Sequence, residues 1–266
     1  MPEKQQIEQL FDAIASDYDR LNHIMSFGID RSWRRKAVRS IADNTKPMRV
    51  LDVATGTGDF AIAIAKELPA GSEIIGVDLS EQMLEIGVQK VMKSDGLRLI
   101  QLASDERGHI GENGVRATYD SHNSDQSTPM VNIALRQGDV EHLDFEDGSF
   151  DRVSVAFGVR NFEHLEQGLS EMYRVLRPGG KLVILELSYP DNPFLLGCFN
   201  LYALHFLPFI GGLISGQKEA YAYLPKSILA FPKAEKFVPM LQRIGFSHVA
   251  VRQFTFGVCV MYVAEK

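Results

Sequence analysis

The chain reads as one α/β domain built on an open, mostly parallel β-sheet, and two observations predict it. From residue 49 onward, segments rich in Val, Ile and Leu alternate with helical segments, the order that yields a parallel sheet with helices on its faces. Residues 50–65, VLDVATGTGDFAIAIA, join an apolar strand to a glycine turn and then to a helix, and a second strand, IIGVD, ends at Asp78. An open sheet holds a nucleoside with such a unit. Gly56 and Gly58 turn the chain tightly and bring bare backbone up to a ligand, while Asp78 is placed to grip two ribose hydroxyls.

Each element follows in order. Residues 1–45 read as a helical lid, in which Leu10, Ile14, Tyr18 and Leu21 share one helical face, a second helix spans 32–41, and Pro47 ends the prelude. Strand 50–53, helix 60–67, strand 74–77 and helix 81–93 come next. Residues 104–129 are polar, carry glycines and hold almost no large apolar side chain, so they read as a mobile insertion, with His109 and His122 as solvated side chains. Order resumes at residue 133, and SFDRVSVAFGVRNF, residues 149–162, reads as a strand running into a loop at 158–161. After helix 165–176, the Pro-Gly-Gly of residues 178–180 separates helix from strand. A helix at 233–244 and two valine-rich strands, 248–254 and 258–263, close the chain as an antiparallel hairpin, which makes a sheet of seven strands.

At 266 residues and 45% hydrophobic content, the chain can bury one continuous core. A net charge of -6 argues against a nucleic-acid partner, since such binders carry a basic stripe. Cys198 and Cys259 have no CxxC spacing, and His23, His142, His164, His205 and His248 are scattered, so neither a disulfide framework nor a metal is expected. The first residues mix charges into helical spacing and lack the apolar core of a signal peptide, so a cytoplasmic location is expected.

The glycine turn alone leaves two cofactors open, because Gly56, Gly58 and Ala61 also satisfy the dinucleotide pattern with an acid about 20 residues on. Asp52, ending strand one, suits a cationic aminoacyl sulfonium and repels a pyrophosphate, although a carboxylate there also serves as a cap. LDxxxGxG, the acid at 78, GDVEHLDFEDGSFD and LRPGGKL then stand in an order that resembles the Rossmann-like class I S-adenosylmethionine methyltransferases over residues 49–187. Three flanking motifs, FDAIASDYDRLNHIMSFGIDRSWR, VAFGVRNF and YLPKSILAFPKAEKFVPMLQRIGF, resemble the ubiquinone and menaquinone biosynthesis C-methyltransferase family across nearly the whole chain. The resemblance implies methyl transfer from S-adenosyl-L-methionine to a ring carbon of a polyprenylated quinol, demethylmenaquinol to menaquinol, and in some members ubiquinone synthesis as well. It further implies that Thr57 and Asp78 contact the methionine and ribose parts and that Asp139 and Val140 hold the adenine. A carboxylate there accepts from the exocyclic amine while the next N–H donates to a ring nitrogen; Asp139 after Gly138 also suits a plain turn cap. Many members carry serine where this chain has Ala156, so that contact is not carried over.

A phenol titrates near ~10, so making its ring carbon nucleophilic at neutral pH needs help. Arg160 suits a phenolate partner better than a base because its guanidinium stays protonated; Asn161 orients the hydroxyl, and Asp59 is the candidate proton acceptor, directly or through water. A salt-bridged loop anchor is the competing account of this trio. Tyr221 and Tyr223 are candidates to line the ring pocket, or to pack on the surface. Residues 190–232 read as a helical cover: 193–214 are uncharged and approach the length of a bilayer span, but Pro208, Gly211 and Gly212 interrupt them. A cover for a prenyl tail, with reversible docking on the inner membrane leaflet, fits better than a span, and a buried core helix is the alternative. A second copy of the chain as partner is left open. Rival functions are methylation of another phenol or a sterol, service to both quinones, or cofactor binding without catalysis. A nicotinamide dehydrogenase is disfavoured by the GDVEHLDF and LRPGGKL segments.

Overall fold

A computed structural model describes residues 3–16, 18–42, 45–102, 115–116, 130–203 and 218–266. Helices α1 (Lys4–Ile14), α2 (Tyr18–Met25) and α3 (Asp30–Ile41) precede the sheet. The expected continuous face through Ile14 and Tyr18 is broken, because the Ala15 N–H donates back to Asp12 and the Tyr18 N–H to Ala15. Ser16 sits in that break, a residue whose hydroxyl favours turns over helix interiors.

Strand β1 (Arg49–Val53), α4 (Asp59–Ala65), β2 (Glu73–Asp78), α5 (Glu81–Met92) and β3 (Leu97–Leu99) follow. Strands β4 (Gln101–Leu102) and β5 (Val115–Arg116) pair antiparallel outside the main sheet. The chain continues through β6 (Val131–Gln137), β7 (Phe150–Ala156), α6 (Leu165–Val175), β8 (Leu176–Leu187) and α7 (Pro193–Leu201). It ends with α8 (Lys218–Ala230), α9 (Ala234–Ile244), β9 (Ser247–Phe254) and β10 (Cys259–Glu265).

The main sheet has eight strands in the order β3, β6, β2, β1, β7, β8, β10, β9, parallel as far as β8, with β10 antiparallel to both its neighbours. The sequence predicts seven. The extra strand is β3, a three-residue edge strand too short to display a period-two pattern. The Pro-Gly-Gly turn also behaves differently: β8 starts at Leu176 opposite Phe150, and the ladder resumes at Arg152 opposite Lys181. Residues 177–180 thus bulge out of one strand instead of preceding it. The Gly179 N–H to the Lys266 carbonyl and the Lys266 N–H to the Gly180 carbonyl pin that bulge.

Alternation places Leu51 and Val53 of β1 on one face, in a core with Leu169 of α6 and Phe237 of α9. Val50 points to the other face, packed with Trp33 of α3 and Phe60 and Ile64 of α4. From β1, the chain order runs to β2 on one side and to β7 on the other; at this switch an open α/β sheet leaves a crevice beyond its carboxyl ends. Of the expected insertion at 104–129, only β5 is described; His109, His122, His205 and residues 204–217 of the expected cover lie outside the described residues.

Candidate active site

Three adjoining cavities fill the crevice. One lies beyond the ends of β1, β2 and β6 beneath α1; a second is walled by α2, α3, α7 and α8; a third, smaller than either, sits at the glycine turn. Tyr18 borders all three, Phe157 joins the first two, and Arg34 joins the second and third.

At the turn, Gly56 (φ 56°) and Gly58 (φ 76°) are both left-handed, the conformation that glycine adopts without steric cost. The Gly56 N–H donates to Asp78 Oδ2 at 2.7 Å and the Ser80 N–H to Oδ1 at 3.0 Å, so the carboxylate facing the first cavity is held at the end of β2. Burial pushes the Asp78 carboxyl up, against those backbone hydrogen bonds. Ala54 (φ 51°) and Phe157 (φ 62°) end β1 and β7 in left-handed conformations that cost energy for residues with a Cβ. Beside them, a Cβ on Gly158 would lie 2.5 Å from Ala54 Cβ, so only glycine lets the two strand ends meet there.

Asp52 is 1% exposed and accepts from Ser154 Oγ at 2.6 Å and Thr55 Oγ1 at 2.7 Å on the wall of the third cavity. Burial pushes its carboxyl up to about 6 despite those bonds. The folded protein therefore holds the extra proton between about pH 4 and 6, and Asp52 makes the unliganded fold less stable as pH rises through that window.

Thr57 Oγ1 donates to Asp19 Oδ1 at 2.7 Å and accepts from Lys90 Nζ at 2.9 Å; Lys90 also pairs with Asp59 at 2.6 Å and with Asp19. At the far end of the first cavity, Lys4 Nζ of α1 lies 2.7 Å from Asp139 and 2.8 Å from Glu141, and the Glu141 N–H donates to Asp139 at 2.9 Å. Partial burial works to raise the Asp139 carboxyl, yet the Lys4 bond and charge hold it below the usual range. Val140 is buried on the same wall.

Arg160 lies in a single 3-10 turn, Val159–Asn161, and faces the second cavity. Its Nη1 pairs with Glu186 Oε1 at 2.7 Å and donates to the Phe157 carbonyl, while Nε donates to Ser227 Oγ at 3.3 Å. Asn161 faces the first cavity and accepts from the Tyr223 hydroxyl at 2.8 Å. The expected trio is thus divided. Asp59, at the start of α4, turns to Lys90 of α5 in the third cavity, and the structure does not bring it to Arg160, which β7 carries to the opposite side of β1. Tyr223 touches the site through Asn161 and does not line any of these three cavities; the Tyr221 side chain lies outside the described residues.

The sequence model of the ubiE/COQ5 methyltransferase family matches residues 1–108 and 120–266. The chain belongs to that family. It is 43% identical to a Bacteroides fragilis demethylmenaquinone methyltransferase over 98% of this chain and 93% of that protein. It is 42% identical to the Porphyromonas gingivalis protein of that name over 100% of this chain and 94% of that protein. A Geotalea daltonii ubiquinone/menaquinone biosynthesis C-methyltransferase is 40% identical over 98% of this chain and 97% of that protein. The fold matches a crystal structure of a SAM-dependent methyltransferase from Thermotoga maritima, with TM-score 0.59, 18% identity, and 97% and 99% of the two chains covered. It also matches Haemonchus contortus phosphoethanolamine N-methyltransferase 2 in complex with S-adenosyl-L-methionine, with TM-score 0.53, 16% identity, and 88% and 52% covered.

As a member of the ubiE/COQ5 family, the chain is an S-adenosylmethionine-dependent methyltransferase, and its residues fit that cofactor. Asp78 and the Asp139–Val140 pair supply a carboxylate at each end of the first cavity, where a nucleoside needs hydroxyl and amine acceptors. The third cavity offers the Asp52 carboxylate to a cation, and Arg34, whose Nε lies 3.6 Å from Asp30 and makes no hydrogen bond among the described residues, lines the same cavity. A guanidinium and an acid on one cavity wall suit an amino acid's two charges. Cofactor affinity is expected to weaken by up to about tenfold per pH unit below about pH 6, where Asp52 must give up a proton to receive a cation, and Asp52→Asn to flatten that slope. Calorimetric titrations from acid to neutral pH check both.

Sequence reasoning missed Tyr18, Arg34, Lys90 and Glu186. Tyr18 was legible only as one apolar position on a helical face, and Glu186 as one residue of an apolar strand. Among the described residues, no group of His, Cys, Asp or Glu is arranged to hold a metal, and no helix is long and apolar enough to cross a membrane.

Proposed function

We propose that this methyltransferase C-methylates the ring of a reduced polyprenylated quinone, demethylmenaquinol, to give menaquinol. The observation that carries this reading is the second cavity. Trp33, Phe157, Phe199, Tyr202 and Ile228 make it apolar enough for a fused ring and the start of a prenyl tail, and Arg160, Arg34 and Asp30 bring charge to its wall. The cavity meets both cofactor cavities at Tyr18. Bound S-adenosylmethionine supplies an electrophilic methyl group. The protein supplies alignment and charge: Arg160, fixed by Glu186, faces the oxygen that gains negative character, and Phe157 and Tyr18 exclude water between the reactants. Asn161, whose Oδ1 is taken by Tyr223, turns to the first cavity and ties it to α8. Phe194 (76% exposed) and Leu201 (67%) on α7, beside this cavity, support reversible docking on a membrane that stores the acceptor.

The test is transfer of labelled methyl to reduced demethylmenaquinone in lipid vesicles, beside the ubiquinone precursor, with co-sedimentation of the protein read in parallel. Methylation of demethylmenaquinone is expected. Methylation of both acceptors would widen the substrate range to two quinones, and cofactor binding with neither methylated would refute the acceptor.

A further inference from the structure

Transfer of a methyl group from a sulfonium to a neutral ring discharges one positive charge, so one proton must leave a cavity walled largely by apolar groups. Arg160 cannot take it, being a guanidinium already paired with Glu186, and Asp59 faces another cavity. One carboxylate does line the acceptor cavity: Asp30, whose side chain is 4% exposed. His23 Nδ1 lies 3.0 Å and 3.1 Å from its two oxygens, Ser26 Oγ donates to Oδ1 at 2.7 Å, and Arg34 Nε is 3.6 Å away. The His23 side chain, 29% exposed, does not line the cavity, so it stands between the buried carboxylate and solvent.

We propose that Asp30 accepts the acceptor's hydroxyl proton and that His23 is the positioning residue that passes it to water, a two-step exit lying between α2 and α3. This inference rests on the acceptor reading given above. The ring carbon's electron pair forms the new C–C bond, the S–C pair stays on sulfur, and the hydroxyl proton moves to an Asp30 oxygen. In the Nε2–H tautomer, His23 Nδ1 is free and takes the proton from Asp30; the imidazolium releases one from Nε2 to solvent, and exchange with water restores the starting tautomer. The ring C–H proton shifts to the oxygen and restores aromaticity, so a single proton leaves. The other titratable and charged groups on this cavity are Tyr18 from α2, Arg34 from α3, Arg160 from the turn after β7 and Tyr202 from the end of α7, with Asn22 and Ser26 polar and Phe199, Leu224 and Ile228 apolar. Burial works to raise the Asp30 carboxyl, but Ser26, His23 and Arg34 outweigh it and hold it below the usual carboxylate range, so the charged form faces the acceptor.

The experiment compares the full-length protein with His23→Gln, which can still hydrogen-bond Asp30 but cannot carry a proton, and with His23→Ala. With demethylmenaquinol, His23→Gln is expected to lower kcat by about 10- to 100-fold, to leave KM and cofactor affinity within about threefold, and to abolish the fall in kcat on the acid side of the wild-type pH profile. His23→Ala is expected to recover activity when imidazole is added to the buffer, a response that loss of a merely structural contact does not give. A His23→Gln enzyme with wild-type kcat and pH profile, or a His23→Ala loss that imidazole leaves untouched, overturns the relay. A wild-type enzyme inactive on the quinol overturns the acceptor reading first.

Discussion

Replacing Arg160 by methionine is expected to abolish methyl transfer and to lower the unfolding free energy by about 3–5 kcal/mol, because it strands the Glu186 carboxylate in the interior. Arg160 is 6% exposed and Glu186 is fully buried, and Glu186 also accepts from the Arg160 and Leu187 N–H groups. Burial works against the Arg160 charge, and the Glu186 charge restores it, so each ion is tolerable only with the other. Replacing both, as Arg160→Met with Glu186→Leu, is expected to return most of the lost stability, since well-packed apolar pairs often substitute for a buried ion pair. Activity is expected to stay absent in the double variant. Denaturant unfolding and a methyl-transfer assay on the same preparations separate the two roles: activity returning with stability would show that Arg160 only anchors its turn.

Asp78→Ala is expected to weaken cofactor binding by about 100-fold or more. Two hydroxyls lose a charged acceptor, each such bond being worth about 1.5–3 kcal/mol, and the Gly56 and Ser80 N–H groups lose theirs as well. At saturating cofactor, kcat is expected to fall far less, because the second cavity and Arg160 are untouched. Calorimetry with S-adenosylhomocysteine measures the first effect and steady-state kinetics the second. A drop in affinity below tenfold would show that the ribose is held elsewhere.

The glycine turn and the acid at the end of β2 were legible in the sequence because their geometry is local. Gly56 and Gly58 announce a backbone conformation that only glycine adopts without cost, and Asp78 follows at the end of the next strand. The acceptor end was not legible in the same way. Arg160 was recognisable as a charged residue in a loop, but its partner is 26 residues on in another strand, so whether it would face the acceptor bare or already neutralised depended on tertiary packing. The same holds for Asp59, whose partner Lys90 lies 31 residues away on α5. Tyr18 met the periodicity of a buried helical position, yet the break after Ile14 re-aims it into the crevice. The missing eighth strand has a simpler cause: three residues at a sheet edge carry too little pattern to be distinguished from a loop.

The small ladder of Gln101–Leu102 with Val115–Arg116 gives the protein a neck outside its main sheet. Residues 109–119, which the family model does not match, include one strand of that neck, Val115–Arg116, and the other strand, Gln101–Leu102, follows edge strand β3 by one residue. A neck that clamps both ends of a segment makes its length nearly indifferent to the fold, each doubling adding only about 0.6 kcal/mol of closure entropy. This edge is therefore where the enzyme can acquire, shed or exchange sequence, including a reporter domain, while the crevice between β1 and β7 keeps its geometry.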